Sequence, residues 1–176
     1  MSPQVALVLV GPPGAPVAEV AAVLAERWGS PLADTDVLVT GRTGRTPADL
    51  LVQDGEEALR EVERAVALPV LAAGTGVVAL GSGAVEDEQV RAVLAAWSAG
   101  GGHVVLLDLA PTTAARRAGL HAGSTALVGT RARWRALFDA RHPRYLEVAT
   151  GVVAVDELDV AGAADAVEAS LVGPHD

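Results

Sequence analysis

Four short apolar runs constrain this chain more than any other feature: VALVLVG (5–11), GVVALGSG (76–83), HVVLLDL (103–109) and GVVAVDEL (151–158). Each is rich in β-branched residues and bounded by turn formers, the pattern of strands buried on both faces of a parallel sheet. Between them the period changes from continuous to helical. Val17, Val20, Ala21, Leu24 and Trp28 follow i, i+3, i+4 spacing, and similar patterns recur over 56–68, 87–99, 130–149 and 161–172. Strands that alternate with helices imply a three-layer α/β/α architecture around a central parallel sheet of about five strands. With 176 residues and 51% hydrophobic side chains, the chain suits a single domain over 1–176. No longer repeat and no linker divides it.

Cysteine is absent and the four histidines are scattered, so neither a disulfide framework nor a zinc cluster is expected. A net charge of −9 argues against a nucleic-acid partner, whose affinity rests on phosphate neutralisation. The N-terminal MSPQVALVLV lacks a signal-peptide pattern, and its apolar run is far shorter than the roughly 20 residues of a membrane span. A cytoplasmic protein without a membrane partner is expected. All 13 basic residues are Arg.

The first strand runs into GPPGAPVAEV, a Gly/Pro turn that opens a helix. This is the frame of a phosphate-binding loop, G-x-x-x-x-G-K-[ST], in which backbone N–H groups wrap phosphates, Lys reaches the outer ones and the hydroxyl holds Mg²⁺. Counted from Gly11, the last three places hold Pro16, Val17 and Ala18. Proline has no N–H, valine no charge and alanine no metal ligand. Glu19 adds a negative charge, favourable at a helix N-terminus only while no anion is bound. Gly11, Gly14, Ala15, Pro16, Val17 and Ala18 therefore form a degenerate nucleotide-binding frame.

Two segments break the alternation: 39–58, mixed Gly, Thr and Asp with a short helix, and 116–130, a loop of small residues between two helices. In open α/β sheets such loops lie beyond the strand ends and close over ligands. PLADTD precedes the first of them, and a short strand there would put Asp34 and Asp36 on one face. One carboxylate would then serve a metal and the other accept a proton.

GPPGA at 11–15, DTD at 34–36, DGEEALREVE at 54–63, GSGAV at 81–85, RRAG at 116–119 and ARHPRYLEVA at 140–149 together resemble the shikimate kinase family, in its order and at nearly its spacing. The resemblance implies a small P-loop kinase fold with a substrate segment at 39–63 and a lid-like loop at 116–130. It implies Asp36 as the group that orients or deprotonates the reacting hydroxyl, and Asp34 beside a Mg²⁺ water shell. Arg60 and Arg141 would clamp a shikimate carboxylate, with Glu63 one turn away holding Arg60. Gly81, Ser82 and Gly83 would bring backbone close to the substrate, and Arg117 would pack on adenine. The chain departs from the family where Ser82 replaces a glycine, where Leu51 and Leu59 replace aromatic walls, and in the lid, where Ser124 and Thr125 replace an arginine and a proline. With lysine, metal-ligating hydroxyl and lid arginine all missing, the leading expectation is a pseudokinase that keeps at most a carboxylate pocket, with no cofactor. The alternatives are an active but divergent shikimate kinase using Mg²⁺ and ATP, and a non-catalytic partner of an enzyme of the same pathway.

Overall fold

A computed structural model describes residues 6–117 and 128–172. Five strands, β1 (Leu7–Val10), β2 (Leu32–Asp34), β3 (Val77–Ala79), β4 (His103–Asp108) and β5 (Gly151–Ala154), form one parallel sheet in the order β2-β3-β1-β4-β5. Every strand pair is parallel, so all five C-terminal ends lie along one edge. The sheet has covering layers on both faces because successive side chains point to opposite sides. Leu7, Leu9, Val105 and Leu107 join one buried cluster with α1 (Val17–Trp28) and α8 (Val160–Leu171). Val8, Val10, Val104 and Leu106 join the other with α4 (Glu56–Ala73) and α5 (Glu88–Ala99). Leu7 to Val10 are at most 1% exposed, which explains why the run carries no polar residue at all.

The topology makes the site. β1 continues into α1 on one face and on to β2, whereas β3 continues into α5 on the opposite face and on to β4. Neighbouring strands whose connections leave in opposite directions open a crevice at their C-terminal ends, where ligands bind in folds of this kind. The loop 11–16 follows β1, and the Gly81–Gly83 turn follows β3.

Segment 39–58 is more ordered than its composition suggests. It belongs to α2 (Thr35–Thr43), α3 (Pro47–Asp54) and the start of α4. A capping box between Thr46 and Asp49, with Pro47 in the first turn, starts α3. Val39, Leu50, Leu59 and Val66 then close a small satellite core that anchors all three helices. The remaining helices are α6 (Pro111–Arg117) and α7 (Val128–Val148). Of the expected lid, 118–127, with Ser124 and Thr125, lies outside the described residues.

Candidate active site

Two donors of the loop after β1 turn onto the loop itself. The Ala15 N–H donates to the Pro12 carbonyl (3.0 Å), and the Val17 N–H donates to the Ala15 carbonyl (2.9 Å). The second bond spans Pro16, whose φ of −81° and ψ of 52° make an inverse γ-turn at the start of α1. Pro12, Pro13 and Pro16 have no N–H to give. Gly14, at φ +94°, presses against α6, so a Cβ there would meet Arg117 Cβ at 3.2 Å. The Arg117 guanidinium reaches the Gly14 carbonyl at 3.4 Å, an exposed and weak contact on the loop's outer side.

Across the crevice the local structure corrects one expectation. Asp34 ends β2 and caps α2, its Oδ1 accepting from the N–H groups of Asp36 (2.9 Å) and Val37 (3.2 Å). Asp36 therefore stands in the first helical turn, and the two carboxylates do not share a strand face. Capping wins because α2 would otherwise begin with unpartnered donors. No group of three or more metal-ligating side chains occurs among the described residues. The Asp36 carboxylate lies against the turn after β3, so a Cβ on Gly81 would come within 2.6 Å of its Oδ1. Partial desolvation, and secondly the Asp34 charge, push the Asp36 carboxyl above its ordinary value. Gly11, Gly14, Ala15, Val17, Ala18, Asp34, Asp36, Gly81 and Ser82 line one cavity of about 310 Å³, with Glu19 at its side.

Gly83 marks the other end of the turn, and a Cβ there would overlap the Arg60 guanidinium. Arg60, on α4, is mostly buried and pairs with buried Glu63 one turn along, with Glu56 at 3.5 Å and with Glu86 through Nε at 3.1 Å. Burial works to lower its pKa and these carboxylates, Glu63 foremost, more than offset it. Arg141, on α7, is 7% exposed and meets the same Glu86: Nε at 3.0 Å and Nη2 at 3.2 Å. Neither arginine is a solvated helix charge. The turn between Gly81 and Gly83 is held from behind by Tyr145, which is 1% exposed and donates its hydroxyl to the Ser82 carbonyl at 2.6 Å.

Comparison with known proteins fits this geometry. A family model described as shikimate kinase matches residues 14–171. A shikimate kinase of Thermobifida fusca is 42% identical over 177 residues, covering 100% of both chains, and one of Streptomyces avermitilis is 42% identical over 85% of each. The chain belongs to the shikimate kinase family. Among solved structures, the shikimate kinase of Acinetobacter baumannii in complex with shikimate superposes with a TM-score of 0.79 at 23% identity over 93% of this chain and 91% of that one, which supports the fold.

Within this shikimate kinase fold, two family expectations fall differently from the sequence reading. Leu59 is buried in the satellite core and Leu51 is 46% exposed, so the two do not face each other across a pocket. Arg60 and Arg141 converge on Glu86, outside the cavity that Asp36 lines. Glu86 itself was not singled out in the sequence, although it follows the GSGAV run directly. No helix among the described residues is long and apolar enough to cross a membrane. The whole-length identity to named kinases favours the active-kinase alternative over the pseudokinase expectation, and it lends no support to a degenerate loop or to a partner enzyme.

Proposed function

We propose that the chain is a divergent shikimate kinase: it holds a shikimate-type hydroxy acid between Asp36 and the Arg60–Arg141 pair, and its reaction is phosphoryl transfer to a hydroxyl of that acid. One observation carries the substrate half. The Arg60 guanidinium and a carboxyl with a raised pKa lie at opposite ends of one three-residue turn, Gly81–Gly83, and buried Arg141 is joined to Arg60 through Glu86. Guanidinium forks suit a carboxylate. A carboxyl held above its usual range is a stronger base once ionised, placed to accept a hydroxyl proton. The similarity to curated shikimate kinases over the full length of the chain supports the reaction half.

ATP and Mg²⁺ belong to this reading as donor and counter-ion, and the loop fits them poorly. Its donors at Ala15 and Val17 turn inward, three prolines offer none, and Glu19 lines the cavity. Arg117 is the cation that reaches the loop among the described residues, from outside. These features favour a second reading, a family member that binds the hydroxy acid without competent phosphoryl transfer.

A coupled assay with shikimate and Mg-ATP, beside calorimetric titration with each, separates the two. The divergent-kinase reading expects measurable turnover, slower than that of a relative with Lys and Ser in the loop by about a hundredfold or more, the scale of one missing well-placed charge. Shikimate binding without detectable turnover selects the second reading. Absence of shikimate binding removes both.

A further inference from the structure

We infer that Glu86 is a built-in competitor for the carboxylate clamp: its side chain neutralises Arg60 and Arg141 in the empty protein, and a carboxylate ligand must displace it. The inference rests on the reading of those two arginines as the clamp. Charge balance is the first argument. The two guanidiniums are matched by Glu63, which is buried, and by Glu86, with Glu56 exposed at the margin. A ligand carboxylate entering this set adds a third close negative charge to two positive ones. In a mostly buried cluster such an excess is costly.

The geometry of Glu86 is the second argument. Its oxygens lie 3.1 Å from Arg60 Nε and 3.0 Å from Arg141 Nε, yet neither buried Nε–H is aimed at an acceptor. The aligned bond to Glu86 comes from Arg141 Nη2, at 3.2 Å. Glu86 therefore cancels the clamp's charge while leaving two buried donors unsatisfied, which a better-placed carboxylate can recover. Displacement has a route. Glu86 closes a short 3₁₀ turn (Ala84–Glu86), its side chain is 27% exposed, and it borders an open cavity of about 570 Å³ lined also by Arg60, Glu56, Glu57 and Asp87. Arg60 itself lines that cavity, so a displaced Glu86 stays within reach of the clamp and returns to it when the ligand leaves. The consequence is selectivity: a carboxylate ligand is held only at the expense of an internal ion pair, whereas a neutral analogue gains nothing from displacing it.

The test is calorimetric titration of the full chain and of Glu86→Gln with shikimate and with its neutral methyl ester. Glu86→Gln keeps the shape and removes the charge. The expected result is a Kd for shikimate tightened by about tenfold or more, the scale of one relieved like-charge contact in a partly open site, with the ester little changed. Equal shikimate affinity in both proteins, with Arg141→Ala abolishing binding, overturns the role of Glu86 and leaves the clamp standing. Equal tightening of acid and ester also overturns it, since the pocket would simply have loosened. No shikimate binding to either protein removes the clamp itself. If Glu86→Gln fails to fold, Glu86→Asp withdraws the carboxylate by one methylene and is expected to tighten shikimate in the same direction, and unchanged affinity there counts against the proposal.

Discussion

The two walls of the crevice handle charge in opposite ways. On the wall of α4, α7 and the 3₁₀ turn, ionic side chains are buried against one another: Arg60 with Glu63 and Glu86, and Arg141 with Glu86. On the wall formed by the loop after β1, the loop's own residues carry no positive charge, and the Ala15 and Val17 N–H groups close on the loop's own carbonyls. Both walls sit on the same sheet edge, each backed by the buried cluster on its own face of the sheet. The comparison teaches that a frame and its chemistry are separable: the strand–turn–helix geometry depends on Leu7, Leu9, Val20 and Leu24, all fully buried, and on none of the residues that would touch a phosphate.

The sharpest way to break the contrast is to put charge on the bare wall. Pro16→Gly, Val17→Lys and Ala18→Ser together open the γ-turn and supply an N–H, a cation and a hydroxyl. Phosphorylation of shikimate, followed by a coupled assay, is expected to rise about a hundredfold or more over the unaltered chain. A folded triple variant with unchanged nucleotide affinity would show that the frame, and not only its side chains, has diverged. The reverse operation strips charge from the other wall. Arg141→Ala leaves Glu86 facing Arg60 alone and should abolish shikimate binding. It is expected to lower stability by about 2 kcal/mol, or roughly 4–8 °C in Tm, less than a fully buried pair would cost because Glu86 can reach water.

Smaller changes sharpen the boundary between the walls. Tyr145→Phe removes the hydroxyl that holds the Ser82 carbonyl and should cost about 1 kcal/mol in urea unfolding. Burial pushes the Tyr145 phenol's pKa upward, so it donates at every pH at which the protein is stable. No loss in the Phe variant would mean that the Gly81–Gly83 turn is held by its own backbone. Asp36→Asn has the smallest expected effect on stability, and its sign is informative. A carboxyl whose folded pKa is raised above its unfolded value destabilises the fold when ionised, a penalty present above the folded pKa and relieved as pH falls below the unfolded one. The variant should therefore be more stable at pH 7 by a few tenths of a kcal/mol at most, with the gain fading towards pH 3, although it lacks the proposed proton acceptor. A loss of stability at pH 7 would mean that the native carboxylate has a favourable partner.

Much of this was legible in the sequence because it depends on period. The β-branched runs match the strands, and the i, i+3, i+4 residues of α1 are those that face the core. Segment 39–58 misleads because Gly41, Gly44 and Gly55 look like loop punctuation. A capping box and the side chains of Val39, Leu50 and Leu59 from separate helices stabilise it instead, and periodicity within a short window does not reveal such a core. The strand-face expectation for Asp34 and Asp36 fails because the Asp34 cap starts a helix at Thr35, which the alternation of the two carboxylates does not reveal. The missing N–H, cation and hydroxyl at Pro16, Val17 and Ala18 were visible directly, since each is a property of a single residue. Glu86 was not, because its meaning arises from Arg141, 55 positions along the chain, and from Arg60 on a third element.

The γ-turn at Pro16 has a consequence for how order is supplied to this loop. In a loop that wraps an anion, donors left outward are satisfied only when the ligand arrives, and the segment stiffens on binding. Here Pro12, Pro13 and Pro16 restrict the unfolded chain before folding begins, and the Ala15 and Val17 amides find acceptors within the loop. The rigidity is covalent and constitutive. Hydrogen exchange at those two amides should be slow in the empty protein and should not slow further with added nucleotide, so these two donors have no order left to gain from a ligand.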